Sequence, residues 1–328
     1  MIKAYRILSQ RLPVSFLIRK SKNLLLPGFE GLPLYDVLIF FWKQVKTHGL
    51  SERAAAISYN FVMALPPSLL FLFTLVPNLP FVSRQNITLQ LHSLIYDIIP
   101  ARVYNQEVIK FVDSFIENSR FSLLSFGLLL SLFFASNAIM GLMRAFNKNN
   151  IGFERRKGLQ DRMVALRVTI ILFGLLLSYL ILLIMQGAVL KLLVSNNVVR
   201  EIFSYGRWIL MILLIFFAIA YIFKYVPAVK KRWKLNSPGA ILATALSILS
   251  SLGFSYFVSN FSKYNALYGS IGTIMMVMAL IFINSLVLLI GFELNVSIRS
   301  LRTHALQRQE EELSQQEKNI IADDEPFK

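Results

Sequence analysis

The chain has 328 residues, of which 55% are hydrophobic and only 16% charged, with a mean hydropathy of +0.58; soluble globular chains carry about 25% charged residues, so a water-soluble fold is excluded at the outset. A net charge of +16 would by itself suit nucleic acid, but the basic residues cluster in short loops between apolar runs, where they encode membrane orientation. With no cysteine and only His48, His92 and His304, far apart in sequence, the chain has no thiolate metal site, disulfide or cysteine nucleophile and little imidazole chemistry.

Residues 1–33 carry Lys3, Arg6, Arg11, Arg19, Lys20 and Lys22 but no uninterrupted apolar core followed by a small-residue cleavage site. They read as a basic, partly amphipathic cytoplasmic segment on the membrane surface, where each Lys or Arg gains about 1 kcal/mol from anionic lipid, and not as a cleaved signal peptide. From Leu34 to Thr47 the apolar positions Leu34, Val37, Leu38, Phe41, Trp42 and Val45 return at helical spacing among Asp36, Lys43, Gln44 and Lys46. This predicts an interfacial helix, too short and too charged to span.

Six spans are predicted, at about 54–76, 121–143, 163–190, 207–226, 240–261 and 269–297, within a membrane domain covering 34–298. The first contains Pro66-Pro67, a pair that removes two backbone donors and is expected to bend or break the helix, as a packed kink or as a functional opening. The connector 77–120 balances Arg84, Arg102, Lys110 and Arg120 against Asp97, Glu107, Asp113 and Glu117. Its neutrality suits the non-cytoplasmic side, and two apolar stripes separated by Pro100 predict two outer amphipathic helices.

After the second span Arg144, Lys148, Arg155, Arg156, Lys157 and Arg162 outnumber Glu154 and Asp161, and after the fourth come Lys230, Lys231, Arg232 and Lys234. Both loops are therefore cytoplasmic by the positive-inside bias. The lightly charged stretches Lys191–Gly206 and around Lys263 fall outside. Residues 299–328 form a polar cytoplasmic tail, rich in Gln and Glu, that is expected to fray after one helical turn or more. The fold class is thus all-α and polytopic, with six transmembrane helices, interfacial amphipathic helices and both termini on the cytoplasmic side.

Glu293, near the end of an otherwise apolar span, would cost about 2.5–3.5 kcal/mol at mid-membrane and needs a partner. Arg144 or Arg162, on the same side, is the expected counter-ion, in a structural ion pair or in substrate handling. Asn60, Asn137 and Asn284 lie in or beside spans and should face other helices or a wet cavity. Gly269 and Gly272, in Tyr268-Gly-Ser-Ile-Gly272, permit a close helix contact or an irregular start to the last span. No paired acids, metal cluster, nucleophile with its base or phosphate-cradling loop stands at productive spacing, so neither catalysis, a metal nor a cofactor is expected.

Several of these segments resemble the YihY/BrkB family of bacterial inner-membrane proteins, long mislabelled as ribonuclease BN. The resemblance covers about 36–298 and rests on Arg53-Ala-Ala-Ala-Ile-Ser-Tyr59 with Pro66, Leu142-Met-Arg-Ala-Phe-Asn147 with Arg155 and Arg162, Tyr268-Gly-Ser-Ile-Gly272, and Gly291-Phe-Glu-Leu-Asn295. Phe292 and Pro67 depart from the usual pattern. Tyr59 and Asn147, inside these motifs, join the polar candidates for a substrate pathway or a structural role.

The resemblance implies a six-helix inner-membrane protein for which envelope lipid export and virulence-related roles have been proposed. The leading expectation is a transporter-like protein that moves a lipid or other amphiphile, with membrane lipids and an envelope protein as partners and no nucleic acid. The alternative is a non-transporting scaffold for an envelope complex. A ribonuclease, the third reading, has no support in the residues.

Overall fold

The computed structural model describes residues 19–47, 49–75, 92, 109–110, 113, 121–147, 158–184, 197–229, 232–260 and 262–323. Seven helices follow in order: α1 (Leu34–Thr47), α2 (Leu50–Leu75), α3 (Phe121–Asn147), α4 (Gly158–Ile184), α5 (Asn197–Tyr225), α6 (Pro238–Asn260) and α7 (Ser262–Asp323). Among the described residues there is no sheet; an isolated antiparallel bridge joins Leu25 and Pro33. Most of the connector 77–120 lies outside the described residues. Within it, His92 Nε2 stands 2.8 Å from Asp113 Oδ1.

The helices α2 to α7 are each long and apolar enough to cross a membrane. Each packs on its neighbours in sequence, and α7 returns to pack on α2, so the six spans form a closed ring with α1 outside it against α7. The seam between the first and last spans is therefore where the ring shuts.

The joint before α2 is local chemistry. Thr47 folds its hydroxyl back onto the carbonyl of Lys43 at 2.9 Å. Gly49 then takes a left-handed φ of 55°, a conformation cheap for glycine alone, and its carbonyl accepts the N–H of Arg53 at 3.2 Å. Arg53 is thereby carried into the first turn of a span.

Of the outcomes expected at Pro66, Pro67, Gly269 and Gly272, an outright break of the helix does not occur. The helix α2 runs unbroken through both prolines, because proline φ is itself helical and only two donors are lost. Its course is also fixed on either side of the pair: a methyl group at Gly141 would come within 2.7 Å of Asn60 Nδ2, and one at Gly127 within 2.8 Å of Leu70. Likewise α7 passes through both glycines, each costing about 1 kcal/mol in a helix without breaking it.

Two further bounds differ from expectation. The tail does not fray early; α7 continues to Asp323 because Glu293 to Asp323 contains neither Gly nor Pro. The stretch expected as an outer loop up to Gly206 is helical from Asn197 onward.

Packing is uneven along the ring. The main apolar core gathers Ala54 and Ile57 of α2, Leu142 and Phe146 of α3, Ala165 and Val168 of α4, Phe223 of α5, Ala240 and Ala243 of α6 and Leu289 and Phe292 of α7, all near the ends that carry the basic loops. At the other end α6 exposes Ser251, Leu252, Gly253, Ser255, Tyr256 and Phe257, positions that cover much of the helix circumference. On α7 the residues Ile274, Met275, Val277, Met278 and Ala279 are exposed in the same way. The bundle is tightly packed at its basic end, whereas α5, α6 and α7 present exposed apolar faces at the other.

Candidate functional site

The basic end holds a buried ion pair across the closing seam. Arg53 Nη1 donates to Glu293 Oε1 at 2.5 Å, and the two side chains are 4% and 0% exposed. Arg53 Nε donates to the carbonyl of Ala145 at 3.0 Å, so one guanidinium ties together the start of α2, the end of α3 and α7. That carbonyl belongs to the last turn of α3, where the helix itself leaves acceptors unfilled and favours a cation.

Arg53 therefore corrects the expected counter-ion. Arg144 is exposed, pointing away from the seam, although its neighbours Met143, Ala145 and Phe146 are buried. Arg162 spends Nη1 on Asn137 Oδ1 at 2.5 Å and on Met140 sulfur at 3.4 Å, with its guanidinium 4.8 Å from the centre of the Phe133 ring. It stitches α4 to α3 and does not reach Glu293.

Phe292, next to Glu293 in sequence, and Phe146, next to Ala145, belong to a buried aromatic cluster. Phe146 and Phe292 stack with centroids 4.0 Å apart and planes 8° from parallel, while Phe223 and Trp233 meet Phe292 edge-on at 6.3 and 5.7 Å. Such surroundings are dry, and a charge pair in them is strong only if its remaining polar atoms are also satisfied. Here Arg53 Nη2, Glu293 Oε2 and Ser297 Oγ have no hydrogen-bond partner among the described residues. The pair is held along one edge.

Below the pair, Asn295 caps the start of α6. Its Oδ1 accepts the Gly239 N–H at 2.8 Å and its Nδ2 donates to Ser237 Oγ at 3.0 Å, satisfying an orphan donor of the first turn. Gly239 and Gly291 face each other so closely that a methyl group on Gly291 would lie 2.5 Å from the Gly239 carbonyl oxygen. Asn147 does similar work at the end of α3, where its Oδ1 accepts the Ala228 N–H of the α5–α6 loop at 3.0 Å.

The remaining candidates are dispersed. Ser247 donates to Asn284 Oδ1 at 3.0 Å, joining α6 to α7, while Asn60 bonds within its own helix to Ala56 O at 2.7 Å. Tyr59 is 62% exposed on the outside of α2. Beside the proline pair, α2, α3 and α4 enclose an apolar groove of about 270 Å³ lined by residues such as Ala64, Leu65, Leu69, Ala138, Leu172 and Phe173. Among the described residues no group of three or more His, Asp or Glu is placed to hold a metal ion.

Sequence reasoning missed Arg53 and the α6 cap. The signal for Arg53 was its position: it begins a span and is followed at once by Ala-Ala-Ala, deeper than the loop cations. For Asn295, the cue was a polar residue two positions after the glutamate in a span that opens no loop.

Comparison with known proteins agrees with this architecture. The chain is 28% identical over 254 residues, 76% of its length, to the ribonuclease-like protein YfkH of Bacillus subtilis, covering 90% of that protein. It is 24% identical to a UPF0761 membrane protein of Haemophilus influenzae, covering 78% of this chain and 92% of that one. A UPF0761 membrane protein of Chromohalobacter salexigens is 27% identical over 75% of this chain and 59% of its own length. No solved structure matches the chain at a significant level. The profile described as virulence factor BrkB matches residues 41–317, and with the six long apolar helices already in place, the chain belongs to the BrkB family of membrane proteins.

Proposed function

We propose that the chain is a transporter-like protein of the bacterial inner membrane that moves a lipid or other amphiphile for envelope biogenesis and catalyses no reaction of its own. The supporting observation is the contrast between the two ends of the ring. One end is shut by Arg53, Glu293 and the Phe146–Phe292 stack. At the other, α6 and α7 expose apolar residues over much of their circumference, a surface that suits a hydrocarbon chain better than a hydrated solute. In this reading the basic, cytoplasmic end is a closed gate. A pair bonded along one edge in a dry setting suits a gate, since a fully satisfied network would be harder to open.

The apolar groove beside Pro66 and Pro67 offers a second contact for acyl chains. The test is movement of a fluorescent phospholipid across vesicles reconstituted with purified protein, wild type against Glu293→Gln and Arg53→Gln. Movement by wild type that either variant alters supports the reading. No movement of zwitterionic or anionic phospholipids, or movement untouched by both variants, overturns it.

A scaffold role is the second reading, and one observation favours it. Every residue from Arg302 to Gln316 of α7 is exposed, forming a free polar helix of the kind a partner can grip. Copurification that depends on that helix, with no lipid movement, would select the scaffold.

A further inference from the structure

The helix α1 is apolar on two faces. Val37 and Phe41 turn inward, with Val37 fully buried beside Leu294 and Ile298, while Val45 packs against the main core. On the opposite side Leu38, Ile39 and Trp42 are 47%, 53% and 60% exposed. Leu24 and Leu25 extend this outward patch at 39% and 61% exposure, tied to the start of α1 by the Leu34 N–H on the Leu24 carbonyl at 3.1 Å.

Cations rim the patch. Lys22 Nζ stands 5.1 Å from the centre of the Tyr35 ring and Lys46 Nζ 5.4 Å from that of Trp42, with Lys20 and Lys43 exposed nearby. An outward apolar stripe carrying a tryptophan, bordered by lysines whose stems fold over rings, matches the headgroup region of a membrane with anionic lipid.

The same segment clasps the gate. Phe29, 7% exposed, sits among Val37, Leu294 and Ile298, and Leu294 directly follows Glu293 on α7. Gly28, at a φ of 88°, lies so near Pro238 that a methyl group there would come within 2.9 Å of the proline ring. Glu30 Oε2 meets Arg302 Nη1 at 2.6 Å. One short turn thus touches the first residue of α6 and, on α7, the turns that directly follow Glu293.

We propose that the outward face of α1 docks on anionic phospholipid of the adjoining leaflet and that the Phe29 clasp transmits this docking to α6 and α7, holding the Arg53–Glu293 pair shut. The proposal goes beyond the transport reading, since docking and closure are both measured without moving a substrate. Each lysine near an anionic surface is worth about a fivefold gain in affinity, so removing three is readily seen.

The test uses the full chain in phosphatidylcholine vesicles with or without phosphatidylglycerol. Trp42, the sole emitter in a Trp208→Phe, Trp233→Phe background, is quenched by bromine-labelled acyl chains, and exchange of the 290–298 amides is followed in protein that keeps its tryptophans. Phosphatidylglycerol is expected to deepen the quenching and slow the exchange about fivefold. Lys22→Gln with Lys43→Gln and Lys46→Gln removes both responses, whereas Phe29→Ala keeps the quenching and loses the slowing. If Phe29→Ala does not fold, Glu30→Gln at the exposed ion pair gives a smaller loss of the same kind. Quenching indifferent to phosphatidylglycerol overturns the docking, and an exchange response intact without Phe29 or Glu30 overturns the clasp.

Discussion

Glu293 is wholly enclosed, and its neighbour Phe292 stacks on Phe146 at van der Waals distance; about four to five turns back along the same helix, Ile274, Met275 and Met278 are 59%, 49% and 47% exposed. The packed stretch of α7 is the less apolar of the two, with Ser285, Glu293, Asn295 and Ser297 buried in it, so hydrophobicity does not explain why one is packed and the other bare. Small residues do. Gly239, Ala243 and Gly291 let α6 and α7 meet backbone to backbone at the basic end, whereas a methyl group on Gly253 would meet nothing within 4 Å. In a membrane, helices gain by close packing and by shared polar groups and not by leaving water, so the end that has both is the end that closes.

Four substitutions probe this contrast. The largest effect is expected from Glu293→Ala, which strands the Arg53 guanidinium in a dry site and should destabilise the protein by about 3–5 kcal/mol in detergent unfolding. Leucine at both positions should cost far less, because no lone charge remains; equal losses in the single and double variants would deny that the pair acts as a unit. Next comes Gly291→Ala, whose methyl group would lie 2.5 Å from the Gly239 carbonyl oxygen and 2.6 Å from the Ala243 methyl. Overpacking of that kind costs about 1–3 kcal/mol and should appear as a lowered Tm.

Asn284→Leu removes the bond from Ser247 at the middle of the α6–α7 contact, for a loss of about 0.6–1.7 kcal/mol in the same measurement. The smallest effect belongs to Leu252→Ala on the exposed half, within about 0.5 kcal/mol. A loss as large as that of Gly291→Ala would mean that the bare surface of α6 is packed after all.

The sequence made the spans legible because an apolar run long enough to cross oil has few other uses, and Leu34 to Thr47 was legible because its stripe is interrupted by charge at helical intervals. Long-range pairing was not legible. Arg53 and Glu293 lie 240 residues apart, and although the place of Arg53 at the head of a span sets it apart from Arg144 and Arg162, nothing local names its partner until the ring is closed. The proline pair is the converse case: the break that a local rule allows is absent, and α2 is held on either side of the pair by contacts with Gly127 and Gly141 of a neighbouring helix. The clasp at Phe29 was concealed within a basic stretch, although Pro27-Gly28 and Gly31 are turn signals that would have located it.

The continuous helix from Ser262 to Asp323 also gives the molecule a pointer. From Glu293 to Asp323 it measures about 45 Å at 1.5 Å per residue, so a tilt of about 10° at the glutamate swings its tip by roughly 8 Å. A rearrangement too small to see at the seam is magnified at the far tip, where a pair of dyes could report each stroke as a change in distance.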